Sequence, residues 1–386
     1  MSAWLETIRR VEALEDLPLD EVLVAEIERR RARLGARPPI HFFTPTFKAF
    51  ASSELASCGR NAWPAVSITG GACKLQCDHC KAKILEPMIP ATSPEALWRV
   101  VNEIVADGAR GVLLTGGSNH RNEVEYGPYF PVIRRIKDEL PGFRIAVHTA
   151  LVDGSTARAM EDAGIDVAMM DVIGAQDTIT QVYHLRRGVD DFEATLEALT
   201  ATRMKVVPHI VVGLHYGYLL GEWSALEMVR RHRPDALVLV VVMPFYAPES
   251  RPFVTPDTAA VGRFLMDARE ALPELPLLLG CARPAGRARV QIDTYAVLAG
   301  LDGIAHPSEG TVELAARLER RVRVTPACCS IAVGEDVMAL EDTGLELDLE
   351  AVLAHERAAR AAAAGLSGIR VVAEGAAPTG CGGCAA

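Results

Sequence analysis

Residues 65–80 read Ala-Val-Ser-Ile-Thr-Gly-Gly-Ala-Cys-Lys-Leu-Gln-Cys-Asp-His-Cys: an apolar run, a glycine turn, then three cysteines within eight residues. The run from Ala65 to Thr69 reads as the first strand of a series. Further apolar, β-branched runs follow at Gly111 to Thr115, Arg144 to His148, Asp166 to Asp171, Lys205 to Gly213, Ala236 to Met243, Leu277 to Cys281 and Gly303 to Ala305. Helical patterns separate them, at Pro94 to Ala106, Tyr129 to Glu139, Ser155 to Ala163, Asp191 to Thr202, Glu222 to Arg231, Thr258 to Leu272 and Gln291 to Ala299. Strand followed by helix, repeated, is the rhythm of βα units on a parallel sheet.

Continuously apolar strands such as Leu237 to Val242 suit a sheet covered on both faces. The stretch from Ala65 to Pro307 is close to the ~250 residues of a (β/α) barrel. The expected fold is therefore α/β, a TIM-type barrel, complete or partial; an open doubly wound sheet would share the strand count. Residues 1–45 read as an amphipathic helical arm and a linker with Pro38, Pro39 and Pro45, residues 46–307 as the barrel, and 308–386 as an extension ending in a cysteine-containing tail.

A formal net charge of -10 disfavours a nucleic-acid partner, because phosphate-backbone affinity rests on clustered Lys and Arg. Residues 1–37 mix charges with Leu, Ile and Val at helical spacing, unlike a secretory signal, so a cytoplasmic location is expected. The longest apolar run, from Ala236 to Tyr246, is too short for the ~20 residues of a membrane span. In a reducing compartment the nine cysteines point to metal or redox chemistry rather than disulfides. They are Cys58, the triad Cys73, Cys77 and Cys80, then Cys281, Cys328, Cys329, and Cys381 and Cys384 in a glycine-rich tail.

The triad directly follows the first strand, where a barrel places its active-site loops. Three thiolates so close can wrap one iron–sulfur cube and leave one iron open, whereas structural zinc prefers four closed ligands. This pattern, Cys-x-x-x-Cys-x-x-Cys after the first barrel strand, resembles the radical S-adenosylmethionine (SAM) superfamily. The resemblance implies a [4Fe–4S] cluster on Cys73, Cys77 and Cys80, SAM on the open iron, and reductive cleavage of SAM to a 5′-deoxyadenosyl radical that abstracts hydrogen from an unactivated carbon. It further implies that His79 packs by the adenine in place of the usual aromatic residue. Gly116 and Gly117, in Leu-Leu-Thr-Gly-Gly-Ser, would contact the SAM amino group.

His148 and Thr149 end the third strand, Asp171 the fourth, and His209, His215 and Glu222 lie in or after the fifth. Polar groups at successive strand ends converge on one mouth of a barrel, so these are candidates for SAM and substrate contacts. No residue is assigned as a catalytic acid or base.

Cys281 ends the seventh strand in Gly-Cys-Ala-Arg-Pro-Ala-Gly-Arg, and with Arg283 it resembles the late-barrel segment of biotin synthase, where an arginine joins cysteines around a second cluster. Adjacent Cys328 and Cys329, with Cys58, would supply the remaining ligands. Ser67-Ile68-Thr69-Gly70, the run from Pro208 to Gly217, and Gly280-Cys281-Ala282-Arg283-Pro284 resemble the biotin-synthase-related family that contains one component of the two-protein lipoyl synthase. That implies sulfur insertion into a protein-bound octanoyl chain from an auxiliary Fe–S cluster. The partners would be an octanoylated carrier protein or domain, a companion radical SAM enzyme, and an electron donor such as ferredoxin or flavodoxin. Another sulfur-inserting or methylating radical enzyme, or a non-catalytic electron-transfer protein, shares the triad.

Overall fold

The computed structural model describes residues 2–35, 39–44, 55, 63–243, 247, 249–325 and 328–330. Twelve strands lie among them: β1 Ile40–Phe43, β2 Ala65–Ser67, β3 Ile89–Pro90, β4 Gly111–Thr115, β5 Arg144–His148, β6 Val167–Met169, β7 Lys205–Val206, β8 His209–Val212, β9 Leu237–Val241, β10 Leu277–Leu279, β11 Gly303–Ala305 and β12 Val322–Thr325. The helices are α1 Ala3–Arg9, α2 Glu21–Leu34, α3 Pro94–Ala106, α4 Phe130–Glu139, α5 Gly154–Asp162, α6 Gln176–Gln181, α7 Val189–Thr200, α8 Glu222–His232, α9 Thr258–Ala271, α10 Arg287–Ala299 and α11 Thr311–Arg317.

The strands form two six-stranded sheets, in the orders β3-β2-β4-β5-β6-β7 and β12-β1-β11-β10-β9-β8, and every pairing between named strands is parallel. β7 and β8 are two halves of one chain direction, interrupted at Pro208, whose missing N–H cannot join a ladder. A parallel bridge between Asp171 and His209 carries the arc from one sheet to the other. Among the described residues no pairing links β2 and β3 to β1 and β12, so the fold is a TIM-type barrel left open at that seam.

Side-chain parity along each strand builds two cores. Leu237, Leu239 and Val241 of β9 pack with the helix layer, as do Val112 and Leu114 of β4 and Leu277 and Leu279 of β10. Their neighbours Val238, Val240 and Leu278 turn into the lumen, where they meet Phe43, Trp63, Ala146, Met169 and Ala305. All five residues of β9 are buried, which is why that strand reads as continuously apolar.

Helix starts follow their caps. Ser93 Oγ accepts from Ala96 N with Pro94 in the first turn of α3, and the Asp153 carboxylate accepts from Thr156 N at α5. The N-terminal arm is anchored outside the barrel: Tyr295 Oη of α10 accepts from Asp20 N at 2.9 Å, and Arg30 of α2 reaches Asp267 (2.6 Å) and Glu270 (2.8 Å) of α9.

The sheet extends beyond residues 46–307 at both ends. β1 lies in the segment expected as linker, and β12 in the expected extension, each adding an edge-side strand to the second sheet. Four residues next to prolines carry too little pattern to announce a strand. No helix among the described residues is long and apolar enough to cross a membrane. Cys58, Cys381 and Cys384 lie outside the described residues.

Candidate active site

The triad loop runs from the end of β2 and is held from two sides. On one side the glycine turn after β4 is zipped to it: Thr69 Oγ1 accepts from Gly117 N at 2.7 Å, and Ser118 O accepts from Lys74 N at 2.9 Å. A Cβ on Gly117 would fall 1.9 Å from Ala72 O and 2.5 Å from Cys73 Cα, so only glycine permits this approach. Gly116 and Gly117 thus shape the loop that bears the cysteines, and both also line the cavity beside it.

On the other side stands Asp78, between Cys77 and His79 and nearly buried. Its Oδ1 meets Lys81 Nζ at 2.7 Å and His184 Nε2 at 3.0 Å, while Oδ2 accepts from Tyr216 Oη at 3.0 Å. Asp78 N donates to Val182 O at 2.9 Å. One carboxylate therefore ties the triad loop to the loops after β6 and β8. Burial pushes its pKa up, but the hydrogen bonds from Lys81, His184 and Tyr216 prevail and hold the carboxyl below its ordinary range. Gln76, Lys81, Ala82, His184 and Tyr216 all hold left-handed φ, between 45° and 61°. Non-glycine residues keep such angles only where surrounding contacts impose them, and such strain gathers at functional sites.

Within this frame Cys73, Cys77 and Cys80 line one cavity of about 360 Å³. Burial pushes the Cys77 thiol well up, and Cys80 and Cys73 push it further. Burial also raises Cys80, but the adjacent His79 outweighs it and the net displacement is downward. Three crowded thiols whose negative forms repel one another are a donor set that iron would relieve, so the residues present fit a [4Fe–4S] cluster. No three His, Cys, Asp or Glu side chains among the described residues close on the position of a single metal ion. A cube spreads its ligands more widely than one ion does.

The polar residues of successive strand ends do meet. His79, His148, Thr149, Asp171 and His209 all line the cavity. His148 Nε2 stands 3.7 Å from Asp171 Oδ1, Asp171 Oδ2 accepts from Tyr183 Oη at 3.3 Å, and the His148 and His209 rings meet edge to face at 5.4 Å. Burial, with the charge of His148, lowers the pKa of His209 to about 4; the ring is neutral, and its Nδ1 donates to Val207 O at 3.1 Å. His79 packs against Tyr183, ring centroids 5.1 Å apart.

His215 and Glu222 do not join this wall. His215 Nδ1 lies 3.2 Å from Thr178 Oγ1, and the buried Glu222 Oε1 accepts from Gly213 N at 2.8 Å, closing the turn after β8. Neither lines the cavity.

Across the lumen the same cavity is lined by Cys281, after β10, and by Cys328 and Cys329, after β12. The Cys329 thiol is pushed well up by its hydrogen bond to Cys328, by burial, and by the nearby charges of Cys328 and Cys281. Trp63, Leu113, Met169, Val211, Val238 and Val240 also line the cavity and make much of its wall apolar. Arg283 departs from the sequence expectation. Its side chain is fully buried and engaged: Nε and Nη2 bind both Asp293 oxygens (2.5 and 3.0 Å), Nη1 donates to Gly280 O (2.6 Å) and Nη2 to His306 O (2.8 Å). A buried guanidinium must be paired, and Asp293 supplies that partner; Arg283 is not among the residues that line the cavity.

Asp78, Tyr183, His184, Tyr216 and Arg251 were not visible as site residues from the sequence. Only the position of Asp78 inside the triad could have drawn notice, since the others come from loops with no chemical spacing to the cysteines.

Residues 67–231 match the family described as Radical SAM superfamily, and this stretch is a radical SAM domain. None of the curated proteins matches the chain. Among solved structures, HydG, described as a maturase of the [FeFe]-hydrogenase, has a TM-score of 0.52 at 14% identity, over 88% of this chain and 80% of that one. HydG from Carboxydothermus hydrogenoformans has a TM-score of 0.51 at 13% identity, over 91% and 87%. At such identities the likeness is one of fold.

Proposed function

We propose that this protein is a radical SAM enzyme that inserts sulfur at an unactivated C–H bond, with a second Fe–S cluster as the sulfur source. The observation that carries this reading is the single cavity lined by six thiols, those of Cys73, Cys77 and Cys80 and those of Cys281, Cys328 and Cys329, together with apolar side chains. Cys73, Cys77 and Cys80 would hold a [4Fe–4S] cluster, which with SAM bound would supply the carbon radical. The chain's own residues do the rest. His79 and Tyr183 offer flat surfaces beside the triad, His148 and Asp171 offer polar contacts for a ribose or a carboxylate, and neutral His209 keeps Nε2 as an acceptor.

The cavity suits an aliphatic segment, because Leu113, Met169, Val211, Val238 and Val240 in its wall offer no hydrogen bonds. A protein-bound octanoyl chain, with a companion enzyme for the second sulfur, is the substrate favoured by the resemblance to the lipoyl synthase component. Cys281, Cys328 and Cys329 would hold the auxiliary cluster.

The test is anaerobic incubation of reconstituted protein with SAM, a reductant and an octanoylated carrier domain, followed by mass measurement of the carrier. A gain of one sulfur is expected. No gain, even with the companion protein, rejects the octanoyl reading, and absence of 5′-deoxyadenosine rejects radical catalysis itself. A methylating enzyme would instead add the mass of a methyl group.

A further inference from the structure

Asn122 stands in the loop between β4 and α4, is only 6% exposed, and lines the cavity. Its backbone is engaged on both sides: Asn122 N donates to Asn119 O at 3.1 Å, and Asn122 O accepts from Leu151 N at 2.8 Å. The Asn119 side chain fixes the turn around it, accepting from Arg121 N at 2.8 Å and from Glu123 N at 3.1 Å. The Asn122 carboxamide, by contrast, makes no hydrogen bond to any described residue, although buried amides are as a rule paired. Backbone conformation does not explain the residue, because glycine would hold its φ of 58° equally well and put no polar group in the wall. The chemistry around it is also selective. Among the described residues that line the cavity there is no Lys or Arg, one carboxylate, Asp171, and one carboxamide, Asn122. Asp171 already has His148 at 3.7 Å. An anionic head group therefore finds no fixed ammonium or guanidinium to replace its water, whereas a neutral amide finds a partner with both a donor and an acceptor.

We infer that Asn122 is the residue that selects the linkage of the acyl substrate. Its Oδ1 accepts from the N–H of a secondary amide and its Nδ2 donates to a carbonyl oxygen, so the cavity takes an amide-linked acyl chain ahead of a thioester or a free acid. The inference rests on the reading given under Proposed function, that an acyl chain enters this cavity. A thioester keeps the carbonyl but has no N–H, and it leaves a buried acceptor unpaired. A free acid brings a charge that nothing in the wall offsets. Sites discriminate most strongly when the wrong substrate strands one of their own buried polar groups, which is the position of Asn122. The competing explanations are that Asn122 serves only the turn, or that its carboxamide contacts SAM instead.

The experiment is equilibrium dialysis of the full-length, cluster-reconstituted protein, with SAM present, against N-butyloctanamide, S-butyl thiooctanoate and octanoate. The first two probes differ only in NH against S. Wild type should hold the amide about tenfold more tightly than the thioester, and octanoate most weakly. In Asn122→Gly, which keeps the left-handed turn without strain, the amide should lose its advantage over the thioester, with SAM affinity and iron content unchanged. Equal affinity of wild type for amide and thioester overturns the proposal, as does failure of all three probes to bind. A preference that survives in Asn122→Gly overturns it in favour of a turn residue, and a loss of SAM affinity with the preference intact overturns it in favour of a SAM contact. If the preference depends on Asn122 but the octanoylated carrier gains no sulfur, the reaction under Proposed function falls and the selection of the linkage stands.

Discussion

The two sulfur groups of the cavity are built in opposite ways. Cys73, Cys77 and Cys80 sit on one loop, shaped by the glycine approach at Gly117 and clamped by Asp78. Cys281, Cys328 and Cys329 come from β10 and from the segment after β12, and the barrel alone brings them to the same wall. Two residues after Cys281, Arg283 forms a fully buried ion pair with Asp293. A site written into one short loop needs local devices, whereas a site written into topology needs a rigid scaffold behind it.

That contrast can be broken from the scaffold side first. Arg283→Ala leaves Asp293 buried without its partner and should cost about 3–5 kcal/mol of stability, read as a lowered urea midpoint. The end of the cavity carrying Cys281 should lose order with it. If the midpoint hardly moves, the pair is not what supports this end.

On the triad side Gly117→Ala drives a Cβ to within 1.9 Å of Ala72 O, so the loop must shift. A stability loss of about 1–3 kcal/mol is expected, with most of the triad iron lost after reconstitution while thiols at the far end still react with a thiol reagent. Retention of full iron would mean that the loop adapts freely. Asp78→Ala should cost a similar amount, about 2 kcal/mol, and should speed amide exchange across residues 73–82; Asp78→Asn should recover part of the protection. Unchanged exchange would show that the clamp is dispensable.

The smallest effect serves as a reference outside both sites. Backbone N–H of Thr156, then the hydroxyls of Ser155 and Thr156, hold the Asp153 carboxyl down at about 2. Its folded value lies below the ordinary ~3.9, so its contribution is complete above about pH 4 and is lost as the pH falls through about 2. Asp153→Ala should cost about 1 kcal/mol at neutral pH, and its difference from wild type in denaturation curves should shrink steadily as the pH falls from about 4 through about 2. A difference that persists there would point to packing rather than the cap.

What the sequence made legible follows the same division. The triad and the strand-end residues His148, Thr149, Asp171 and His209 were readable because each stands at the end of an apolar run that announces its own strand. β1 and β12 were not, since two four-residue strands beside prolines or after a helix give no pattern of their own, and their place is fixed by pairing with β11 and with each other. The pairing of Arg283 was hidden for a related reason: its partner Asp293 lies nearly two turns into α10, and a buried charge goes where its counter-charge is. The Asp78 clamp was hidden because His184 and Tyr216 are more than a hundred residues from it in sequence and meet it only through the loops after β6 and β8.

The central claim is that one cavity holds two sulfur-based cofactor sites, and iron and acid-labile sulfide counts test it most directly. Anaerobically purified and reconstituted wild type should carry about eight irons and eight sulfides, and triple Ala variants at Cys73, Cys77 and Cys80 or at Cys281, Cys328 and Cys329 should each retain about four. About four irons in the wild type, lost entirely in the first variant and kept in full by the second, would contradict it.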